Sequence, residues 1–425
     1  MLSTVISIYS LLLAIGILLV GSGLLSTLLG LRASIEGYSA TVIGVVMSAF
    51  FVGYIIGAYL CPRLIRTIGH IRTFAVLAAI VSAVMILHGL IVDAFVWWVL
   101  RIISGICIVG LYMVVESWLN SLIKTHEKRG RIFSVYMMIT LIALGAGQFL
   151  LLIYGPTELA SFALGAVFFA LALVPIAATR LSQPQQITKR RLILREVFKV
   201  SSLGTVGAFC SGLVTGAFWG LGALYAQKFG FANMGIALFV SMVIFGGVLL
   251  QLPIGHWSDR RDRRTVLMLV AFIAAGIAGL IYLFGVYPQW LLLSLTMIYG
   301  GFSFSIYALC VSHTNDQVEE DHVMEATRTL LLLNGAGAAV GPVLAGIMMQ
   351  WLGSEALMLF FFITLVGLGL FALYRLKVAE PVPLELQEEF VMMTRTSPEV
   401  VELDPRSETE QEHEAQGRHD SRTVP

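Results

Sequence analysis

Gly255-His256-Trp257-Ser258-Asp259-Arg260-Arg261-Asp262-Arg263-Arg264 places six charges within ten residues. On either side lies an apolar run, about 233–255 and 265–286, without one acid or base. A helix of roughly 20 apolar residues spans a bilayer, whose hydrocarbon offers no partner to a bare N–H or C=O. The stretch therefore reads as a tight charged hairpin joining two membrane helices.

The same pattern extends in both directions. Twelve apolar runs occupy about 5–30, 40–61, 71–92, 95–121, 131–154, 158–179, 203–227, 233–255, 265–286, 288–312, 324–351 and 354–376. Membrane β-strands would be shorter and would alternate in polarity, so the expected class is all-α. Composition agrees. The 425 residues are 58% hydrophobic and only 12% charged, with a mean hydropathy of +0.87, whereas soluble domains carry about 25% charged residues. That excludes a soluble enzyme, a nucleic-acid binder or a disordered scaffold for the bulk of the chain. The first run has no Lys or Arg ahead of it and is too long for a signal-peptide core, so it reads as an uncleaved span. Cys61, Cys107, Cys210 and Cys310 fall in or at the end of spans, and disulfides are not expected.

Charge placement sets the expected orientation. With a cytoplasmic N-terminus, the inner segments collect twenty Lys/Arg and the outer loops two, Arg32 and Lys228. The positive-inside rule then puts both termini in the cytoplasm. Trp97, Trp98 and Trp290 open the fourth and tenth spans, where an outer aromatic belt is expected.

The chain divides into 1–179, a polar linker 180–202 with six positive charges and one acid, 203–377, and a tail 378–425. The two six-span halves resemble each other. A shift of 193 pairs Ser48 with Ser241 and Gly53 with Gly246; a shift of 195 pairs Gly105 with Gly300, Tyr112 with Tyr307, Ser117 with Ser312 and Asn120 with Asn315. Parallel repeats of this kind put a substrate site between the halves near the membrane midplane. The formal net charge of +1 is a cancellation: the body carries 23 Lys/Arg against 14 Asp/Glu, and the tail 4 against 12. Such a tail has too little apolar surface to fold alone and is expected to be disordered, with a contact to the basic inner loops as the alternative.

The charged hairpin resembles the Gly-x-x-Ser/Ala-Asp-Arg-x-x-Arg-Arg loop of the major facilitator superfamily, with Gly255, Asp259, Arg260, Arg263 and Arg264 in its motif positions. Arg101-x-x-x-Gly105-x-x-x-x-Gly110 is similar to that superfamily's fourth-span arginine motif, and Gly337-x-x-x-Gly341-Pro342 to its Gly-Pro kink. The first-half counterpart of the loop, Gly57 to Arg72, lacks the Asp, and Gly145-Ala146 lacks the Pro. Glu116-Ser-Trp-Leu-Asn120, Arg129-Gly-Arg131, Gly147-Gln148 and Cys310-x-x-His313-x-Asn315-Asp316 resemble the YcaD-like subgroup. The resemblance implies the major facilitator fold, two pseudo-symmetric six-helix bundles, and a secondary transporter working by alternating access.

Candidate residues follow from chemistry. Arg101 is a charge inside a span, which is costly unless it meets a cavity or a partner; it could hold an anionic substrate group, or snorkel to the interface. Glu116 is a candidate proton carrier, or half of an ion pair with Arg129, Arg131 or Arg328. His313 and Asp316 share a helix face and could form a titrating pair. Asp259 with its arginines is a candidate gate latch. Gln148, Gln251 and Asn334 could line the cavity or join helices; Tyr112, Trp219 and Tyr307 could touch a substrate or simply pack. The chain shows no Walker-type phosphate loop, no catalytic constellation and no metal-ligand spacing, so neither enzyme activity nor a cofactor is expected. The expected protein is a monomeric, proton-coupled exporter of a small amphipathic molecule. Uptake of a metabolite or sugar is the second reading, and a non-transporting receptor or scaffold the third.

Overall fold

The structure is a computed structural model that describes residues 2–122, 126–179, 194–284, 288–319, 322–378, 380, 382–388, 390–392 and 396–403. Among the described residues twelve helices are long and apolar enough to cross a membrane, at the twelve positions expected. The first half comprises α1 (Leu2–Ile35), α2 (Ala40–Ile68), α3 (His70–Leu90), α4 (Ala94–Leu122), α5 (His126–Gln148) and a sixth span divided into α6 (Leu159–Leu171) and α7 (Leu173–Ala178). After α8 (Leu194–Val200), the second half comprises α9 (Ser202–Lys228), α10 (Asn233–Asp259), α11 (Arg263–Phe284), α12 (Gln289–Asn315), α13 (Val323–Leu352) and α14 (Ala356–Val378). Among the described residues there is no strand. Most of the expected linker, 180–193, lies outside the described residues.

Short signals punctuate the helices. The Val42 N–H donates to Ser39 Oγ at 3.4 Å to cap α2. Gly69, at φ +83°, ends α2 and opens α3 in one step, a backbone state that would strain a side chain. Side chains such as Phe95, Leu283 and Trp351 stand exposed on the outer surface, where lipid rather than water suits them. Trp97 corrects the aromatic-belt expectation: it is fully buried, edge-on to Tyr38, and its Nε1–H donates to the Ile91 carbonyl at 2.6 Å. It ties the α3–α4 turn into the core, while Trp290 does face outward.

The internal repeat is visible in helix crossings. Gly53 of α2 lies against the Ile102 carbonyl of α4, and Gly105 of α4 against the Phe50 carbonyl of α2. In the second half Gly246 of α10 lies against the Met297 carbonyl of α12, and Gly300 against that of Val243. Each contact maps onto its counterpart by the 193- and 195-residue shifts. The paired glycines recur because backbone meets backbone at both crossings and a Cβ has no room.

Across the halves, α2 runs beside α13 and α1 beside α9. On the face opposite the Arg-rich loops this contact is direct: Gly44 abuts the Pro342 carbonyl, Gly346 abuts that of Ala40, and Gly220 packs on Met47. Thr41 Oγ1–H donates to the Gly346 carbonyl at 3.4 Å.

Part of the tail is described. Short 3-10 turns form at Leu384–Leu386 and Pro398–Leu403, and Thr396, Ser397, Glu399 and Val400 are buried. The tail's own composition cannot supply a core; the ends of the body helices supply one. Residues 404–425 lie outside the described residues.

Candidate functional site

A cavity of about 230 Å³ lies between the halves. Its walls come from α1, α2, α4 and α5 on one side and from α9, α10, α12 and α13 on the other. Of the expected residues, Arg101, Tyr112, Trp219, Gln251 and Asn334 line it. Most of the remaining wall is apolar or aromatic, including Met47, Phe50, Phe51, Tyr54 and Phe304.

Arg101 is the one charged residue in that lining among the described residues. It is only 4% exposed, and its guanidinium carbon stands 4.7 Å from the Phe50 ring centroid. Its Nε–H has no hydrogen-bond partner, and no carboxylate pairs with it among the described residues. The snorkelling alternative does not fit this burial. Asn334 Nδ2–H donates to the Ala208 carbonyl at 3.0 Å, so it both joins α13 to α9 and borders the cavity.

Two expected residues serve the packing instead. Gln148 is fully buried; it accepts from Thr27 and donates to the Gly23 carbonyl at 3.0 Å, fastening α5 to α1. Tyr307 is buried outside the cavity lining.

Glu116 sits deeper toward the basic face and is fully buried. Its carboxylate accepts from the hydroxyls of Tyr136, Thr396 and Ser397. Neither Arg131 nor Arg328 pairs with it among the described residues; the side chain of Arg129 lies outside them. Arg328 Nε–H instead donates to the Pro398 carbonyl at 3.2 Å.

The charged loop 255–264 is more tightly knit than the sequence suggests. Arg263 is 1% exposed; its Nε–H meets Asp316 Oδ2 at 2.6 Å and its Nη2 meets Asp259 Oδ1 at 3.2 Å. Arg264 pairs with Asp262 at 2.7 Å, while Arg260 is exposed. Of the expected His313–Asp316 pair, Asp316 turns to Arg263 and accepts from the Glu388 N–H at 3.2 Å, while His313 is buried nearby. Burial pushes the Asp316 carboxyl up to about 6, against the pull of Arg263. Burial also raises the Asp262 carboxyl, but its hydrogen bonds from Arg264 outweigh this and hold it below its ordinary value. Gly255 packs against the Phe390 ring. Among the described residues no cluster could hold a metal ion.

The aromatic wall of α2 escaped the sequence reading, although Met47, Phe50, Phe51 and Tyr54 recur at helical spacing. Thr396 escaped it for a different reason: nothing in a polar tail signals that it returns to the cavity.

The family model of the Major Facilitator Superfamily matches residues 3–203 and 204–407, once per half. An uncharacterized MFS-type transporter of Enterobacter sp. (strain 638) is 29% identical over 313 residues, covering 72% of this chain and 80% of that protein. The uncharacterized MFS-type transporter YcaD of Escherichia fergusonii is 27% identical over 311 residues, with the same coverage. Among solved structures, the nucleoside transporter NupG superposes with a TM-score of 0.74 at 15% identity, covering 87% of this chain and 99% of that one. A bacterial homolog of the human lysosomal transporter Spinster, inward-facing and occupied, gives 0.70 at 12% identity, covering 90% and 97%. With twelve membrane helices, repeated halves and a cavity between them, the chain is an integral inner-membrane transporter that belongs to the major facilitator superfamily.

Proposed function

We propose that the protein is a secondary active transporter that exports a small amphipathic organic anion by alternating access, coupled to protons entering. The observation that carries this reading is Arg101, a buried cation with no counter-ion among the described residues, in a cavity walled by Phe50, Phe51, Trp219 and Phe304. An isolated charge in such a place is costly. A ligand with an anionic group and an apolar or aromatic body would relieve that cost and fill the walls at once. Glu116 is the carboxylate assigned to proton exchange, because it is buried, bears hydroxyl donors and stands between the cavity and the basic face. By the positive-inside rule, the basic face is cytoplasmic.

The test begins with a thermal-stabilisation screen of amphipathic carboxylates, sulfonates and phosphates, since a ligand raises apparent stability by mass action. Hits are then followed in proteoliposomes with imposed pH gradients. Anions that stabilise the protein and leave the lipid compartment against a proton gradient support the reading. Stabilisation confined to neutral or cationic compounds would sink the anion assignment.

Uptake of a metabolite is the second reading, favoured by the carboxamides of Gln251 and Asn334 at the cavity wall. Net movement in the direction of the proton gradient would select it.

A further inference from the structure

The cavity has a neighbour that its own helices do not provide. The described tail residues, 387–388, 390–392 and 396–398, meet both halves at the basic face. On the second half, the Glu388 N–H donates to Asp316 Oδ1 at 3.2 Å while its carbonyl accepts from Arg263. The Phe390 N–H donates to Asp259 Oδ1 at 3.0 Å, and its ring fills the space over Gly255. The chain then reaches inward. Thr396 lines the cavity, the hydroxyls of Thr396 and Ser397 donate to Glu116 on α4, and the Pro398 carbonyl accepts from Arg328 on α13. Ser397 and Val400 are as buried as core residues.

We infer that the tail segments 387–388, 390–392 and 396–400 form a strap that plugs the basic-face mouth of the transport cavity and holds the transporter idle until it is released. Three features point the same way. On the opposite face the halves touch each other directly, through Gly44 and Pro342 or Gly346 and Ala40. On the basic face, α4 and α13 are joined by the tail, through Glu116 and Arg328. The strap's bonds also fall on the residues of the latch: Asp259, Arg263 and Asp316. Rocking of the two halves about the cavity changes the distance between α4 and α13, so a segment bonded to both must leave before the cycle turns. Its removal also opens a path to Arg101 from the basic face. The tail's 12 acids against 4 arginines draw it to a face rich in arginine and lysine.

The test uses the full chain with the four native cysteines replaced by Ala and the cavity residue Leu141 replaced by Cys, in detergent. A second version adds Phe390→Ala, Thr396→Ala and Ser397→Ala, which remove the ring over Gly255 and both hydroxyl donors to Glu116. A water-soluble, membrane-impermeant maleimide should label Leu141→Cys at least about tenfold faster in the released version, since hydrogen bonds to a buried charge are the strong ones. Equal rates in two monodisperse proteins overturn the strap. Should the released version aggregate, a nitroxide at Val391→Cys in the otherwise Cys-free chain decides: an immobilised spectrum supports docking, and the sharp spectrum of a free tail overturns it. Neither readout requires knowing the substrate, so the strap and the anion reading stand or fall separately.

Discussion

The guanidinium carbon of Arg101 lies 4.7 Å from the centroid of the Phe50 ring, on a helix pair whose backbones touch at Gly53 and Gly105. That close crossing brings the arginine stem of α4 against the aromatic wall of α2. The ring face contributes a cation–π attraction of about 0.5–2 kcal/mol, too little to replace a counter-ion. The cation is therefore held in place and left unsatisfied, which suits ligand binding better than structure.

Arg101→Ala should weaken binding of an anionic ligand strongly without lowering stability much. Losing a charged hydrogen-bond partner costs about 1.5–3 kcal/mol, or roughly 10- to 100-fold in affinity. Removing a buried charge that pairs with no carboxylate among the described residues removes its desolvation cost, so the melting temperature of purified Arg101→Ala should match or exceed wild type. Arg101→Lys should bind weakly, because the ammonium offers a point charge where the guanidinium offers a planar fork. A strongly lowered melting temperature for Arg101→Ala would mark the residue as structural.

Gly53→Val and Gly246→Val should both fail, for the same reason. A Cβ at either place would fall inside the van der Waals shell of a carbonyl oxygen, that of Ile102 or Met297. Overpacking costs typically about 1–3 kcal/mol and more where backbone is the obstacle. Gly145→Ala is the contrasting substitution, since its Cβ would meet nothing within 4 Å. Yield of monodisperse protein should separate the first two from the third.

The span count and the repeat were legible because both rest on strong local rules: unbroken apolar runs and glycines at fixed offsets. Arg101 stood out for the same reason, a charge where lipid forbids one. The pairing of Asp316 was not legible. His313 lies one helical turn away in the sequence, but the partner that won, Arg263, comes from the start of the preceding span, α11, where Asp259 is also at hand. Side-chain choice among several nearby partners is a tertiary matter. The docked tail was hidden more completely, because composition measures what a segment can bury by itself and says nothing of a groove offered by other helices.

Glu116→Gln should keep the fold and lose coupling. The carboxamide oxygen can still accept from Tyr136 and Thr396, which now bond Glu116 Oε1, while the carboxamide NH2 can donate to the Ser397 hydroxyl oxygen, which now bonds Oε2. It cannot exchange a proton. In proteoliposomes, exchange of the ligand down its own gradient should persist, while accumulation driven by a pH difference disappears. Gradient-driven flux equal to wild type would remove Glu116 from the coupling path.

Asp316 gives a pH signature in stability. Its folded carboxyl is raised to about 6 by burial, whereas an unfolded aspartate titrates near about 3.9. The folded chain thus binds this proton more tightly than the unfolded chain does. Its contribution to stability is complete below about 4 and is lost as the pH rises through about 6. Asp316→Asn lacks this titration. Melting temperatures taken from pH 8 to pH 4 should therefore move in favour of wild type relative to Asp316→Asn as the pH falls, most steeply between 6 and 4. A parallel pair of curves would mean that Arg263, 2.6 Å away, keeps Asp316 ionised throughout. In that case the Arg263–Asp316 pair would hold the latch and the Glu388 end of the strap at every pH in that range.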